Sequence, residues 1–405
     1  MPSTSIDSPG KEPPVSPAGA ETRLVVTNLK HPVLPPDVLL LIVEAVGESD
    51  HSIRTRNSQL CALALTCRSL RSRSQALLFK SPFLYDWHKY APFSRALEDS
   101  PELSRLVRSI TLAVRNNDED MPLPPHIVAR LTNLESADFN GDWDPFNSGT
   151  FSQAVRRSQP NAHQVTFVGF KCQNFAELVR LVWSFPHITS LLLGSFMWGG
   201  EPHQGSERDS LPAVERYPRP ACHLTSLTLY LYSRLNLALP VWGECVRDLT
   251  IHGANRVDNF EGISAFRALE SLCLGFYGTD LGPLIPALTS IRSPAFRRLA
   301  VEHRVPKGER RASTLAQIKG LHLDAILTPE AFPQLREVAW TVIFPRYPNT
   351  GTGTGEREPK EAELSWVNGI GRRMPGVRDS GLLRCKIVRA SPARHSCSGV
   401  REVTV

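Results

Sequence analysis

The sequence contains no long apolar run. A helix that crosses a bilayer needs about 18 or more consecutive apolar residues, and the densest apolar stretch, Val38 to Val43, ends at Glu44. Residues 1 to 22 are rich in Pro, Ser and Gly and lack the apolar segment of a secretory signal, which predicts a disordered leader over residues 1–30. We therefore expect a soluble protein that stays in the cytoplasm or the nucleus and contacts no membrane.

A block of one charge is also missing. The 46 basic and 40 acidic residues are interspersed along the 405 residues, and the formal net charge is only +6. Nucleic-acid-binding domains usually gather their basic residues on one face. The charge pattern therefore predicts no nucleic-acid partner.

The eight cysteines do not form a dense framework. They stand at positions 61, 67, 172, 222, 245, 273, 385 and 397, far apart in a long chain. Small disulfide-stapled domains place their cysteines much closer together. Most of these cysteines are therefore expected to be reduced thiols in the core.

Signals of metal or catalytic chemistry are absent from the sequence. There is no HExxH motif and no paired CxxC spacing, and the run GTGTG at 351–355 lacks the Gly-Lys-Ser/Thr ending of a phosphate-binding loop. No nucleophile, base and orienting residue stand at a recognisable spacing. The sequence predicts no metal, no cofactor and no enzymatic activity.

Helical signals are concentrated near the amino end. The stretch LPPDVLLLIVEAV, from Leu34 to Val46, opens with two prolines and an aspartate, which suit the first turn of a helix. Its apolar residues cover much of the helix circumference, so this helix needs more than one neighbour. After a polar stretch from Gly47 to Ser58, apolar residues recur at helical spacing through Leu70 and on through RSRSQALLF. A compact trio of helices is expected over residues 31–82.

The remainder of the chain contains a repeated pattern of apolar residues at positions one, four and six of a short unit. Nine copies are found. They are Val107, Ile110, Leu112; Leu134, Ala137, Phe139; Ala162, Val165, Phe167; Ile188, Leu191, Leu193; Leu224, Leu227, Leu229; Val246, Leu249, Ile251; Leu269, Leu272, Leu274; Phe296, Leu299, Val301; and Leu335, Val338, Trp340.

The spacing of these copies identifies the type of repeat. Successive third positions (112, 139, 167, 193, 229, 251, 274, 301 and 340) are separated by 27, 28, 26, 36, 22, 23, 27 and 39 residues. Repeats of roughly 20 to 29 residues with this core are typical of leucine-rich repeats, which contribute one strand and one returning helix or turn each. The predicted fold class is α/β: an irregular leucine-rich-repeat solenoid over residues 100–390, with parallel strands on its concave face and helices or turns outside.

Several segments are expected to interrupt or end the array. Polar insertions at 199–220 and around 305–313 account for the two long intervals and are interpreted as surface loops. The segment NFAELVRLVWSF has helical periodicity and predicts a returning helix. Trp366, Val367 and the strand-like GLLRCKIV are expected to close the array, followed by a disordered tail over residues 391–405.

Side chains alternate across a strand, so the residues between the template positions should line one surface. Most of these residues are small Ser and Thr. The larger ones are the candidates for contact with a client protein, although a solvated strand position is an equally good interpretation of each. They are Asp138, Tyr230, Asp248, His252, Arg298, Glu302 and Glu337.

The stretch from Leu34 to Phe79 resembles the F-box family. The resemblance lies in the LPPDVLLLIVEAV opening and in the later hydrophobic-Cys-basic segment LALTCRSLRSRSQALLF. The layout of a Pro/Ser leader, an F-box and poorly conforming repeats is similar to that of F-box-domain proteins of basidiomycete fungi. This similarity covers about residues 34 to 390.

The resemblance implies a substrate-recognition adaptor of an SCF-type cullin-RING ubiquitin ligase. The F-box would dock on the Skp-type adaptor, which connects it to the cullin scaffold, while the repeats would hold an unknown client. The residues implied in docking, or in the helical core behind it, are Leu34, Pro35, Val38, Leu39, Ile42, Leu63, Cys67 and Leu70. The alternative is a ligase-independent interaction scaffold, because Thr66 and Leu70 stand where the family usually has Val and Trp.

Overall fold

The computed structural model describes residues 34–49, 53–84, 87–114, 129–141, 161–172, 175–195, 197–198, 223–230, 242–257, 260–278, 280–305, 311–345, 360–390 and 400–401. The predicted leader at 1–30, the insertion at 199–220, the run at 351–355 and nearly all of the predicted tail at 391–405 lie outside the described residues.

Three helices form at the amino end: α1 (Pro36–Glu48), α2 (Ile53–Thr66) and α3 (Arg68–Lys80). Pro36 occupies the first turn of α1, where a missing N–H costs no hydrogen bond, and Asp37 lies near the positive end of the helix dipole. Helix α2 begins earlier than predicted, at Ile53, and so includes residues 53–58, which the sequence pattern assigns to the polar stretch before it. The trio has a small core of its own.

A helix that the sequence did not reveal connects this trio to the first repeat. After β1 (Phe83–Leu84), helix α4 spans Trp87–Asp99 and a 3-10 helix spans Pro101–Leu106. Tyr90 and Phe93 of α4 are buried, and Phe93 stacks on Phe79 of α3 with 5.9 Å between ring centroids. The trio is thus packed directly onto the solenoid.

One large sheet contains every template copy. Nine strands hold the predicted copies: β2 (Ser109–Val114), β3 (Ser136–Gly141), β4 (Gln164–Val168), β6 (Ser190–Gly194), β8 (Ser226–Tyr230), β9 (Asp248–His252), β10 (Ser271–Tyr277), β11 (Arg298–Arg304) and β12 (Glu337–Pro345). Strand β1 precedes them, and β13 (Leu383–Ala390) follows them. These eleven strands pair in parallel, and β14 (Val400–Arg401) pairs antiparallel with β13.

The register of the strands follows the template. The second template residue of each copy pairs with the second residue of the next, for example Leu249 with Leu272 and Leu272 with Leu299. All template residues are buried except Leu335, which is partly buried. The predicted array of parallel, one-strand repeats is confirmed.

A backbone ladder joins the start of each strand to its neighbour. The carbonyl of Arg247 accepts hydrogen bonds from the N–H groups of both Glu270 and Ser271, at 2.8 and 2.9 Å. The Glu270 carbonyl accepts equivalent bonds from Arg297 and Arg298. The same pattern runs from β2 to β12, so residues just before the strands are held in line as strictly as the strands themselves.

Helices cover one side of the sheet. They are α5 (Phe175–Val182), α6 (Leu284–Ser290), α7 (Arg311–Gly320), α8 (Leu323–Ile326), α9 (Lys360–Gly371) and α10 (Pro375–Asp379), with 3-10 helices at Ala254–Arg256 and Glu261–Ala265. A two-stranded sheet, β5 (Lys171–Cys172) with β7 (Met197–Trp198), accompanies α5. One continuous core lies between the helices and the large sheet.

The prediction of a surface loop around 305–313 is wrong at both ends of that segment. Val305 is buried and donates its N–H to the carbonyl of Ile343 at 3.0 Å, while residues 311–313 are the first turn of α7. Leu315 and Ile318 of α7 join the core. Helices α7 and α8 therefore account for much of the extra length of this repeat. The prediction failed because the apolar residues that α7 buries are interspersed with polar ones.

The expectation of core thiols holds for few of the described cysteines. Cys385 is buried, and burial raises the pKa of its thiol to about 11. Cys61 and Cys67 are exposed, while Cys245 and Cys273 are half-buried. None of these five described cysteines is in a disulfide, and Cys61 and Cys67 face solvent because they lie on the helical trio, whose core is small.

Candidate functional site

Helix α1 exposes an apolar face to solvent. Successive residues of a helix are about 100° apart, so Val38, Leu41, Ile42 and Ala45 lie together on one side of α1, and Leu34 lies just before the helix begins. All five are exposed, Leu41 the most of the four large ones at 67%. We call these five residues the exposed face of α1. Monomeric proteins rarely leave such a patch without a partner.

The opposite side of α1 packs on its neighbours. Val43 is fully buried against Leu60 and Leu70, and Leu39 and Val46 border the same small core. Gly47 approaches α3 so closely that a Cβ there would lie 2.7 Å from Leu77. Apolar residues cover much of the circumference of α1, yet the described part of the chain buries only this one side.

The eight residues implied in docking therefore divide into two groups. Leu34, Pro35, Val38, Ile42 and Cys67 are exposed. Leu70 is buried, and Leu39 and Leu63 are half-buried in the core of the trio. The structure thus places these last three behind the surface rather than on it.

The junction of α2 and α3 is also accessible. Cys67 is the residue that caps α3, and its Sγ lies 3.0 Å from the Ser69 hydroxyl. Hydrogen bonding, first from Ser69 and then from the Leu70 backbone, lowers the pKa of the Cys67 thiol. Leu65 is 87% exposed on the preceding turn. Sequence periodicity missed Leu41 and Leu65 because spacing alone does not say which apolar face is covered.

An ion pair joins α1 to α3. The Arg73 guanidinium on α3 donates a hydrogen bond to the Glu44 carboxylate, and this bond lowers the pKa of Glu44. Glu44 lies on the flank of α1, between the buried side and the exposed face. The pair is largely solvent-exposed, so it contributes little to stability.

The second candidate surface is the side of the large sheet away from the helices. The residues between template positions alternate with the buried ones and are half-buried or exposed. We call this surface the ladder face. Six of the seven predicted client-contact residues lie close together on it, from β8 to β12. Asp138 is separate, because β4 and β6 lie between its strand and β8.

Tyr230 and His252 form an aromatic pair on the ladder face. Their rings stack with centroids 4.3 Å apart and planes inclined by 23°. The next residue in register is Gly275, where a Cβ would lie only 2.8 Å from Nδ1 of His252. The missing side chain of Gly275 gives the imidazole the room it occupies.

Glu302 borders this pair on the following strand. Its Oε2 lies 3.9 Å from Nδ1 of His252. Burial, and secondly the Arg304 charge, lower the pKa of His252 to about 4, while burial raises the pKa of Glu302. His252 is therefore neutral near pH 7, and its contact with Glu302 is not an ion pair at that pH.

Charged residues at the strand starts form cross-strand pairs. Arg298 donates a hydrogen bond to Oδ1 of Asp248 at 3.2 Å, reaching across the small Ser271 that lies between them in register. Arg297 contacts Oε2 of Glu270 at 2.8 Å. Asp138 instead accepts a hydrogen bond from the Thr111 hydroxyl at 3.3 Å.

The sequence did not single out several residues that the sheet places on the ladder face. Arg304 lies over the ring of Tyr277 at 5.0 Å, and Arg384 and Lys386 are ladder-face residues of β13. Strand β13 escaped the template because Ser380 stands at its first position, where the other copies have an apolar residue. The signal that could have identified this strand was the alternation of apolar and polar residues in LLRCKIV.

The described residues also bear on metal binding and on membrane spanning. They contain no group of three or more His, Cys, Asp or Glu side chains arranged to hold a metal ion. None of the helices described has both the length and the apolar character needed to cross a membrane.

Comparison with known proteins gives little further information. No family model matches the chain, and no curated protein matches it. Among solved structures, the chain is similar to the crystal structure of a TLR13–ssRNA13 complex, with a TM-score of 0.30 and 12% identity, over 62% of this chain and 39% of that one. The chain thus spans well under half of that chain's length. By its own repeated strands, the protein is an α/β leucine-rich-repeat-like solenoid, a fold whose long strand surface suits protein interaction.

Proposed function

We propose that this protein is the client-binding adaptor of an SCF-type ubiquitin ligase. Helix α1 and its neighbours would dock on the Skp-type adaptor, which connects the chain to a cullin, and the ladder face would hold the client. The chain itself would perform no catalysis. Such a protein would work in the cytoplasm or the nucleus, where cullin-based ligases assemble.

The observation that carries this proposal is the exposed face of α1. Its four large apolar residues are 39–67% exposed, and three of them belong to a helix that could bury them if it had a second neighbour. Leaving such a helix half-covered is unfavourable, since each buried large apolar side chain contributes about 1.5–3 kcal/mol. The face coincides with the Leu-Pro opening that resembles an F-box, which supports a Skp-type adaptor as the second neighbour.

The position of the trio supports a two-sided adaptor. Helix α3 packs on the first repeat through Phe79 and Phe93, and the Lys80 carbonyl accepts a hydrogen bond from the Arg108 N–H at 2.9 Å. These contacts join α3 to the first strands of the sheet. A rigid junction of this kind would hold a client at a fixed distance from the ligase.

Co-purification tests the proposal. Tagged full-length chain would be recovered from cells, and the co-purified Skp-type adaptor and cullin would be measured by quantitative mass spectrometry. Leu41→Glu should lower recovery of both by about tenfold or more, because a buried interface position would then carry an uncompensated charge. Leu106→Glu is the matched control, since Leu106 is also an exposed leucine, at 37%, but lies outside α1.

The same experiment separates the two functions considered. If the unmodified chain recovers neither the Skp-type adaptor nor a cullin but does recover other proteins, the chain is a ligase-independent scaffold. The burial of Leu39, Leu63 and Leu70 in the trio favours that alternative to a small extent, since it leaves fewer residues for docking.

A further inference from the structure

Four arginines line one depression at the starts of the strands β11, β12 and β13. Arg297 and Arg336 directly precede β11 and β12, Arg298 opens β11, and Arg384 is the second residue of β13. Glu270 and Glu337 complete the lining. The backbone ladder holds these strand starts in line, so the charges are brought together by the regular fold.

The positive charge in this depression is only partly compensated. Arg297 is paired with Glu270, and Arg298 with Asp248. Within the described residues, Arg336 and Arg384 make no ion pair and no side-chain hydrogen bond, and both are exposed. With Asp248 counted, the four guanidinium groups have three carboxylates beside them, which leaves an excess of one positive charge.

The surface beside Arg384 is shaped to admit a peptide backbone. In register with Arg384 are Ala339 and then Ala300, the ladder-face residues of β12 and β11. Both side chains are small, so they form a low floor between the charged strand starts and Glu302 and Thr341 further along the strands. An extended segment can lie on such a floor with an acidic side chain directed toward Arg336 and Arg384.

We propose that this depression binds an acidic side chain of a peptide segment, either a phosphorylated Ser or Thr or an Asp or Glu. Guanidinium groups bind phosphate and carboxylate through two parallel hydrogen bonds, and such charge-assisted bonds are about twice as strong as neutral ones. The inference deepens the proposed function, because it gives a chemical class to the client of the ladder face.

The surrounding charges favour a peptide over a nucleic acid. Glu270, Glu337 and nearby Asp248 would repel a continuous chain of phosphates on both sides of the unpaired arginines. One isolated anionic group avoids that repulsion. The site is therefore local, as for one modified or acidic residue, rather than a basic stripe.

The test uses the purified full chain and immobilised degenerate peptides of about 12 residues. Three libraries differ only in the fixed central residue: phosphothreonine, glutamate or threonine. A single-stranded oligonucleotide of about 20 nucleotides is the fourth probe. Binding is measured by biolayer interferometry for the unmodified chain, for Arg336→Gln with Arg384→Gln, and for a control with Arg105→Gln and Arg267→Gln, which removes the same charge at exposed arginines elsewhere.

We expect the unmodified chain to bind the phosphothreonine library at least about fivefold more tightly than the threonine library. The Arg336/Arg384 substitutions should reduce that binding about tenfold or more. The control pair should leave it nearly unchanged. Equal binding of the glutamate library assigns the site to carboxylates as well, whereas binding of the phosphothreonine library alone assigns it to phosphorylated clients.

Three outcomes would overturn the proposal. They are no preference for either acidic library, an acidic preference that survives the Arg336/Arg384 substitutions, and substitution-sensitive binding of the oligonucleotide alone. Unfolding of each variant in urea confirms that all of them are folded. Recovery of the Skp-type adaptor by the Arg336/Arg384 variant is measured on the same preparation. This measurement distinguishes a wrong assignment of the anion site from a wrong assignment of the ligase role.

Discussion

The ring of Tyr230 lies against the imidazole of His252, with 4.3 Å between their centroids, on adjacent strands of the ladder face. The arrangement depends on a third strand, because Gly275 leaves space for the imidazole. Tyrosine is enriched at binding hot spots, and a stacked ring holds its position before a partner arrives. The pair is therefore the best-defined apolar anchor for a client on this surface.

Replacing Gly275 by Ala should disturb this pair. The new Cβ would lie 2.8 Å from Nδ1 and 3.3 Å from Cα of His252, so the imidazole, which lies between Gly275 and Tyr230 in strand order, could not keep its present position. We expect a loss of about 1–2 kcal/mol in the free energy of unfolding and weaker client capture in proximity labelling. Gly320→Ala is the control: nothing lies within 4 Å of its Cβ, and stability should be unchanged or slightly higher. Equal behaviour of the two variants would contradict this account.

The burial of His252 predicts a dependence of stability on pH. Its pKa falls from 6.5 in the unfolded chain to about 4 in the folded chain, so the unfolded state binds more protons between these values. This contribution to stability is present above pH 6.5 and is lost as the pH falls toward 4. Between pH 7.5 and pH 5, the loss is about 2 kcal/mol.

Substitution of His252 tests that dependence. Urea unfolding at pH 7.5 and pH 5 should show a smaller acid destabilisation for His252→Gln than for the unmodified chain, by about 2 kcal/mol. His223→Gln, at an exposed histidine just before β8, should retain the full acid effect. If both variants lost the same stability on acidification as the unmodified chain, His252 would not be held neutral by burial.

Asn255 should stabilise the turn after β9. Its Nδ2 donates a hydrogen bond to the carbonyl of Tyr277 at 2.9 Å, and its Oδ1 accepts one from the N–H of Tyr277 at 3.3 Å. Asn255→Ala leaves both backbone groups without this partner, which should cost about 1–3 kcal/mol of unfolding free energy. Asn133→Ala, which removes a single exposed bond to the Arg105 carbonyl, should cost less than about 1 kcal/mol. The reverse order in urea unfolding would count against the role of Asn255.

The regular part of the fold could be predicted from the sequence because burial follows a simple period. Leu227, Leu249 and Leu272 recur at template positions and pair in register. Helix α7 was missed because Leu315 and Ile318 follow a polar segment that includes Arg311. Its apolar face becomes evident only once the sheet it covers is known.

The candidate surfaces were predictable only in part. Alternation along the strands correctly assigned Tyr230, Asp248 and Arg298 to one face, because side chains in a strand alternate strictly. The exposure of Leu41 and the burial of Leu70 depend on which sides of α1 and α3 are covered, and helical spacing does not contain that information. The depression lined by four arginines includes Arg384 of β13, a strand whose first template position is the polar Ser380.

The central claim is that the exposed face of α1 binds a Skp-type adaptor, and the most direct measurement is isothermal titration of the purified full chain with the purified adaptor. We expect a one-to-one complex whose Kd rises about tenfold or more in the Val38→Glu, Leu41→Glu double variant, because both residues are exposed in the free chain and would be buried in the complex. Urea unfolding should show that the variant retains its stability. Absence of binding by the unmodified chain, or an unchanged Kd in the folded double variant, would contradict the claim.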